Sequence, residues 1–456
     1  MIDSISECMA RVRRVSGCAL LFLFCFCSLQ SIFSYSVLTH EQIIDLAWQD
    51  SIVPMLRSRY PNVTPAEIEG ARAFAYGGCA IQDAGYYPFG HPLFSDLTHY
   101  VRSGDFVASL IRNSRNVNEL AFALGALSHY VGDNIGHHDA VNPSTAAVFP
   151  DLEQKFGPVV TYDDSPHGHI RTEFAFDINQ LSKRRLAPSA YLSHVGLEVS
   201  PRLLEVAFFE TYGLHLKSAH IDGKADVDTY RRAVRNFIPS VARAEVYLHR
   251  KKFPEDVRGP EFDLYAKRVD EASASNGWEQ YRKGKFSMRT RLLAFVIVIT
   301  PKVGVLSDLA IRGPNTETEE KYVASVNRSL DRYERLLGYL TRNPTAEPGI
   351  TMRLENRDLD TGDKVRPGGY SLTDKTYAQL LAKITALGAP VPVTLKRDVL
   401  NYYADPAAPI TTKRNDRKWK QVQEQLAVLK TMPVIRRDFD PEEPSQPVNG
   451  TASGSQ

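Results

Sequence analysis

Three histidines and an aspartate crowd the ten residues HYVGDNIGHH, positions 129 to 138, inside a stretch that otherwise reads as a buried helix. Burying an ionisable group without a partner costs several kcal/mol, so such crowding needs a compensating charge or ligand. At about 100° per residue, His129, Asp133 and His137 fall at i, i+4 and i+8 on one side of a helix. Leu120, Leu124, Leu127, Val131 and Ile135 form the apolar stripe on the other side. His138 falls with the stripe, which gives it a packing or supporting role and leaves His137 as the candidate ligand, with His138 the alternative.

A second constellation is HGHIRTE, where His169 and Glu173 stand at i, i+4 and can bring an imidazole and a carboxylate to one point. Taken alone, such a pair reads first as a surface helix contact. Upstream, Asp83, His91, Asp96 and His99 lie within a short span, and His40 opens the first helical pattern. Imidazole plus carboxylate without a thiolate set suits zinc in a hydrolytic site better than a structural cysteine-rich site. The competing reading is a satisfied polar core.

The elements that must position these groups are helical. THEQIIDLAW has Thr39 and Gln42 spaced as a capping box, and Asn118 can cap ELAFALGALSHYV. Helical patterns continue at SPRLLEVAFFETYGLHL, DTYRRAVRNFIPSVARAEVYLHR, EEKYVASVNRSLDRYERLLGYL, DKTYAQLLAKITAL and RKWKQVQEQLAVLKTM. The expected class is all-α. Residues 345–371 carry Pro, Gly and mixed charge and read as a long loop, and the tail from 434 to 456 reads as disordered. The expected organisation is a leader over 1–34, a catalytic domain over 35–250, a helical continuation over 251–344, a loop with helices over 345–433, and the tail.

Fifty-five basic against 53 acidic residues give a net charge of +2, so no global field argues for nucleic acid. Arg11, Arg13 and Arg14 precede the apolar run Gly17 to Cys27, the pattern of an export signal, with cleavage expected after Ser34 or Ser36. Cys8, Cys18, Cys25 and Cys27 would leave with it, so that Cys79 remains without an intramolecular partner. The mature protein is expected in the periplasm or outside the cell. The apolar stretch Leu292 to Thr300 falls short of the roughly 20 residues a membrane span needs and reads as a buried helix, with contact to a membrane surface as the lesser alternative.

Four fragments, YSVLTHEQIIDLAW, QDAGYYPF with LTHY, ALSHYVGD and HIRTE, resemble in order the zinc-dependent phospholipase C family. Its relatives include the catalytic domain of glycosylphosphatidylinositol-specific phospholipase D and the trinuclear-zinc nucleases. The resemblance implies a multi-helix domain holding up to three zinc ions. Asp83, His99, His129 and Asp133 would hold the first, and His137, His169 and Glu173 the second. His40 and a bridging Asp133 would hold the third, with the amino group and carbonyl of the mature first residue. In relatives that residue stands five positions before the histidine, which here is Tyr35 and places cleavage after Ser34.

The family commonly places a histidine six positions beyond the Asp133-like aspartate, where this chain has Asp139. Some relatives have Pro where this chain has Gln82, and several have Trp in place of Tyr35.

The implied reaction is phosphodiester hydrolysis by metal-activated water, with Asp83 both a ligand and the group that orients or deprotonates that water. A phospholipid is the expected substrate, and Tyr86, Tyr87, Phe89 and Phe94 could wall its chains, although core packing is the more common role for such residues. One alternative is a nuclease of the same architecture acting on nucleic acid. The other is a non-catalytic, metal-stabilised helical binding protein.

Overall fold

The computed structural model describes residues 37–87, 90–219, 228, 230–232, 234–235, 238–249, 257–282, 313–343 and 354–435. Tyr35, the leader, Phe89, the Leu292 to Thr300 stretch and the tail beyond 435 lie outside them. Among the described residues the regular elements are helices, apart from the two-residue strands Val391–Pro392 and Val434–Ile435, which pair in parallel. The chain is all-α, as the periodicity predicts. No helix among the described residues is long and apolar enough to cross a membrane.

Seven helices carry the argument: α1 (Val37–Ala47), α2 (Pro65–Cys79), α3 (Pro92–Tyr100), α4 (Val117–Gly136), α5 (Pro166–Ser182), α6 (Thr316–Arg342) and α7 (Ser371–Leu387). The central one is α4. It is capped by Asn116, whose side chain accepts from the Glu119 amide, two residues before the expected Asn118. From Glu119 to Asp133 every residue is buried, so its polar side faces other helices rather than water. Thr39 likewise does not cap α1 but lies within it, and its hydroxyl donates to Asp177 Oδ1 at 2.7 Å. At Thr39 a long-range hydrogen bond replaces local capping, whereas at α4 the local cap forms two residues earlier than expected.

Small residues let α2 and α4 approach closely. A Cβ on Gly78 would sit 2.0 Å from the Phe122 carbonyl oxygen, and one on Gly125 would sit 2.2 Å from that of Ala75. Only glycine leaves room for backbone against backbone at that range. The C-terminal part shares this core. On α6, Tyr333 donates to the Leu124 carbonyl at 2.9 Å, and Tyr322 stacks on Phe176 of α5 with ring centroids 4.9 Å apart. One apolar cluster runs from Val37 to Met432. The segment between α6 and α7 is non-helical from residue 354 to 370, as its Pro and Gly content predicts, yet Leu354, Asp358, Leu359 and Asp360 within it are buried.

Candidate metal centre

The expected ligands that the structure describes come together from several helices and turns. Asp83 sits on a single tight helical turn, Gln82–Gly85. Gln82 pins that turn by donating to the Ala126 carbonyl of α4 at 2.9 Å, a polar tie where some relatives have proline. His99 lies in the last turn of α3 and His129 and Asp133 in the second half of α4. His40 on α1 packs over Gly132, where a Cβ would stand 3.3 Å from its Nδ1, and stacks on His129 with centroids 4.2 Å apart. Asp177 of α5 accepts from the Leu38 amide at 3.0 Å, so the helix carrying His169 and Glu173 also fixes the start of the helix carrying His40.

Three histidines share one orienting pattern. The Nδ1–H of His99 donates to the Ser95 carbonyl at 2.8 Å, that of His129 to the Cys79 carbonyl at 3.0 Å, and that of His137 to the Leu359 carbonyl at 2.9 Å. A carbonyl can only accept, so each ring presents Nε2 inward, the arrangement metal-binding histidines use.

The inward atoms converge. His99 Nε2 lies 3.2 Å from Asp83 Oδ1 and 3.3 Å from Asp133 Oδ2, and His129 Nε2 lies 3.0 Å from Asp133 Oδ2 and 3.7 Å from Asp83 Oδ1. The two Nε2 atoms are 3.5 Å apart. Donors held at about 2.1 Å in a tetrahedron around zinc stand about 3.4 Å from one another, so these spacings fit one ion. Asp133 Oδ1 turns the other way, 3.2 Å from His40 Nε2 and 4.0 Å from His137 Nε2, which puts this carboxylate between several imidazoles.

At the second cluster Glu173 Oε1 lies 2.9 Å from His137 Nε2 and 3.0 Å from His169 Nε2. The pair that alone reads as a surface contact is fully buried, because α5 packs against residues 137–148, which follow α4. Past Gly136 the helix widens into a π-helical turn, His137–Val141, in which each residue advances by less than 100°. His137 stays inside, while His138 leaves the apolar stripe. Its side chain is 63 % exposed and its Nδ1 pairs with Asp139 at 2.6 Å. The expected packing role of His138 is therefore corrected.

Despite these short distances Asp83 Oδ1, both Asp133 oxygens and Glu173 Oε2 are buried without a hydrogen-bond partner among the described residues. The nitrogens of His40, His99 and His129 face the Asp83 and Asp133 oxygens at ligand spacing rather than in hydrogen-bond alignment, whereas His137 Nε2 and Glu173 Oε1 share a hydrogen bond at 2.9 Å. Buried carboxylate oxygens in that state need a proton or a cation, and ring nitrogens facing them at ligand spacing point to a cation.

The electrostatics agree. Burial works to raise Asp133, but the charges of His129 and His137 outweigh it and hold the carboxyl well below its ordinary range. Burial works to lower His99, but the Asp133 and Asp83 carboxylates beside its Nε2 raise it well above the usual imidazole value. At His40 burial and the charge of His129 win and lower it. Burial pushes Glu173 up to about 8 against the pull of His137.

Residues 39–222 match the profile of a family described as zinc dependent phospholipase C. This domain belongs to the zinc-dependent phospholipase C family. It is a hydrolase domain whose metal is zinc, and its two buried groups, Asp83 with His99, His129 and Asp133, and His137 with His169 and Asp360, could hold metal ions. No curated protein and no solved structure matches the chain.

Every described residue that the sequence reading named as a ligand lies inside the family domain, whereas Asp360 lies 138 positions beyond its end. Sequence reasoning missed Asp360, which stands in a Gly- and Pro-punctuated stretch with no helical register to aim it. Its one local signal is the run DLDTGD at 358–363. Of the other residues considered, His91 caps α3 by accepting from the Leu93 amide at 3.3 Å. Asp96 accepts from Tyr86 Oη at 2.9 Å, and His167 is exposed. Tyr87 and Phe94 belong to the core. Half-buried Tyr86 and Tyr162 lie beside the two clusters, 5.4 Å from the His99 ring and 5.7 Å from that of His169.

Proposed function

We propose that the chain is an exported phosphodiester hydrolase of phospholipase C type acting on phospholipid headgroups. The observation that carries this reading is the convergence of His99 and His129, each oriented through Nδ1, on Asp83 and Asp133 oxygens that lack hydrogen-bond partners among the described residues. Asp83, His99, His129 and Asp133 would hold one zinc. His137, His169 and Glu173 would hold a second, and His40, Asp133 and the amino-terminal Tyr35 a third.

Zinc, when bound, supplies Lewis acidity to the phosphoryl oxygens and acidifies water near neutral pH. Asp83 is the group that orients the attacking water and takes its proton. Its Oδ2 accepts from Tyr87 Oη at 3.4 Å while Oδ1 faces the histidines, so one oxygen is held and the other points into the cluster. The products are a diacylglycerol and a phosphorylated headgroup. Tyr86, half-buried beside His99, offers an apolar face where the lipid enters.

The test is made on mature protein produced with its own leader. Its amino terminus is sequenced, its zinc measured by plasma mass spectrometry, and its turnover of phosphatidylcholine vesicles followed by phosphorus magnetic resonance. Close to three zinc, a start at Tyr35 and release of phosphocholine are expected. Zinc-loaded protein that leaves phospholipid intact and cuts single-stranded DNA would move the reading to a nuclease. Loaded protein that turns over neither is a metal-stabilised binding protein.

A further inference from the structure

The segment between α6 and α7 reaches the second cluster from outside the family domain. Leu359 places its amide on the His99 carbonyl at 3.2 Å and its own carbonyl on His137 Nδ1 at 2.9 Å, so one residue touches both metal clusters. The next residue, Asp360, is held from three sides. Tyr100 and Tyr370 both donate to its Oδ2, at 2.9 and 2.8 Å. Asn142 donates to its backbone carbonyl at 2.7 Å, and its amide donates to Asp358 Oδ1 at 3.1 Å.

With Oδ2 taken by two phenols, Oδ1 faces the His137 ring, 3.7 Å from the Nδ1 whose hydrogen Leu359 accepts, which leaves Nε2 as the nitrogen His137 can offer a metal. One carboxylate oxygen of Asp360 and one ring nitrogen each of His137 and His169 lie within 4.8 Å of one another, all on buried residues. A carboxylate brought this close to two buried histidines, anchored through its second oxygen and through its backbone, is built as a ligand would be.

We propose that Asp360 supplies a carboxylate ligand to the zinc held by His137, His169 and Glu173, so that the C-terminal part of the chain completes the metal centre of the family domain. The assignment rests on the zinc reading above. It gives the second ion two carboxylates, and it makes metal binding and docking of the 354–370 segment one event.

The experiment uses the full mature chain and zinc alone. Metal-free wild type and Asp360→Asn are titrated with zinc against a chromophoric chelator, and both are loaded with cobalt(II) to read its visible ligand-field bands. Asparagine keeps the size and one oxygen but removes the charge. The expected result is one class of sites weakened at least about 10-fold, the remaining class unchanged, and an altered cobalt spectrum. Tyr370→Phe, which removes the hydrogen bonds to Asp360 and from the Asp163 amide but no ligand, is expected to weaken the same class less. It carries the test if circular dichroism shows Asp360→Asn to be unfolded. Unchanged zinc affinity and cobalt bands in the folded variant would overturn the Asp360 assignment and leave the zinc centre standing. A wild-type chain that binds no zinc would instead overturn the metal reading itself.

Discussion

His137 Nδ1 donates to the carbonyl oxygen of Leu359 at 2.9 Å across 222 positions of sequence. The bond turns Nε2 toward Glu173, and it forms at the point where α4 passes into a π-helical turn. Adjacent histidines thus meet opposite fates, which separates them experimentally. His137→Ala is expected to lose one zinc per chain and at least about 100-fold in phosphodiester hydrolysis, more than the loss of an outer-shell partner causes. His138→Ala, at an exposed site, should leave zinc content unchanged and activity within about twofold. Plasma mass spectrometry and initial rates on the two purified variants decide it, and equal zinc loss from both would contradict the assignment.

Close helix approach is a condition for the first cluster. His129 is oriented by the carbonyl of Cys79 at the end of α2, and α2 can stand that near α4 only because Gly78 and Gly125 carry no Cβ. In Gly125→Ala the new methyl would meet the Ala75 carbonyl oxygen at 2.2 Å, which forces the helices apart. A stability loss of about 1–3 kcal/mol is expected from overpacking, together with weaker zinc binding although no ligand has changed. Urea denaturation of the metal-free chain and chelator competition on the folded one read the two effects separately. A destabilised variant with wild-type zinc affinity would show that the α2–α4 spacing does not set His129.

Metal removal should cost stability because of what it uncovers. Asp83 and Asp133 are buried, and without a cation their charges meet only protonated imidazoles or each other. Ligand linkage predicts that zinc at 1,000 times its dissociation constant stabilises a single site by about 4 kcal/mol. Dialysis against a chelator is therefore expected to lower the thermal midpoint by many degrees, and added zinc to restore it. A midpoint indifferent to chelation would sink the idea that these carboxylates are compensated by metal.

Much of this centre was legible in the sequence because helical spacing aims side chains. The i, i+4 relation of His129 to Asp133, of Asp133 to His137, and of His169 to Glu173 survives into the fold as contacts of 3.0, 4.0 and 3.0 Å. What periodicity could not supply was the burial of His169 and Glu173, which depends on how α5 packs, and the outward turn of His138, which depends on a local widening of the helix. Asp360 was out of reach for another reason. Its direction is set by Tyr100, Tyr370, Asn142 and Asp358, partners spread over the chain, so no local pattern encodes it. Capping chemistry misled at Thr39, whose hydroxyl serves Asp177 in place of its own helix end.

Asp45 gives a pH dependence independent of the metals. It lies on α1 away from the ligands, accepts from Tyr76 Oη at 2.5 Å through Oδ1, and leaves Oδ2 buried without a hydrogen bond. Burial raises its carboxyl to about 7, against the pull of Arg72 and Tyr76. In the unfolded chain the group titrates near the ordinary 3.8, so between those values the folded state binds the extra proton. Stability therefore falls as pH rises through this window, by about 1.4 kcal/mol per unit and on the order of 4 kcal/mol in all. Asp45→Asn cannot titrate, so its unfolding free energy should decline less steeply by this amount while Glu173 keeps its own share of the slope, whatever fixed cost the amide adds at every pH. Urea denaturation of metal-free wild type and variant at intervals from pH 4 to 8 measures the two slopes. A variant that keeps the wild-type slope would place the titrating group elsewhere.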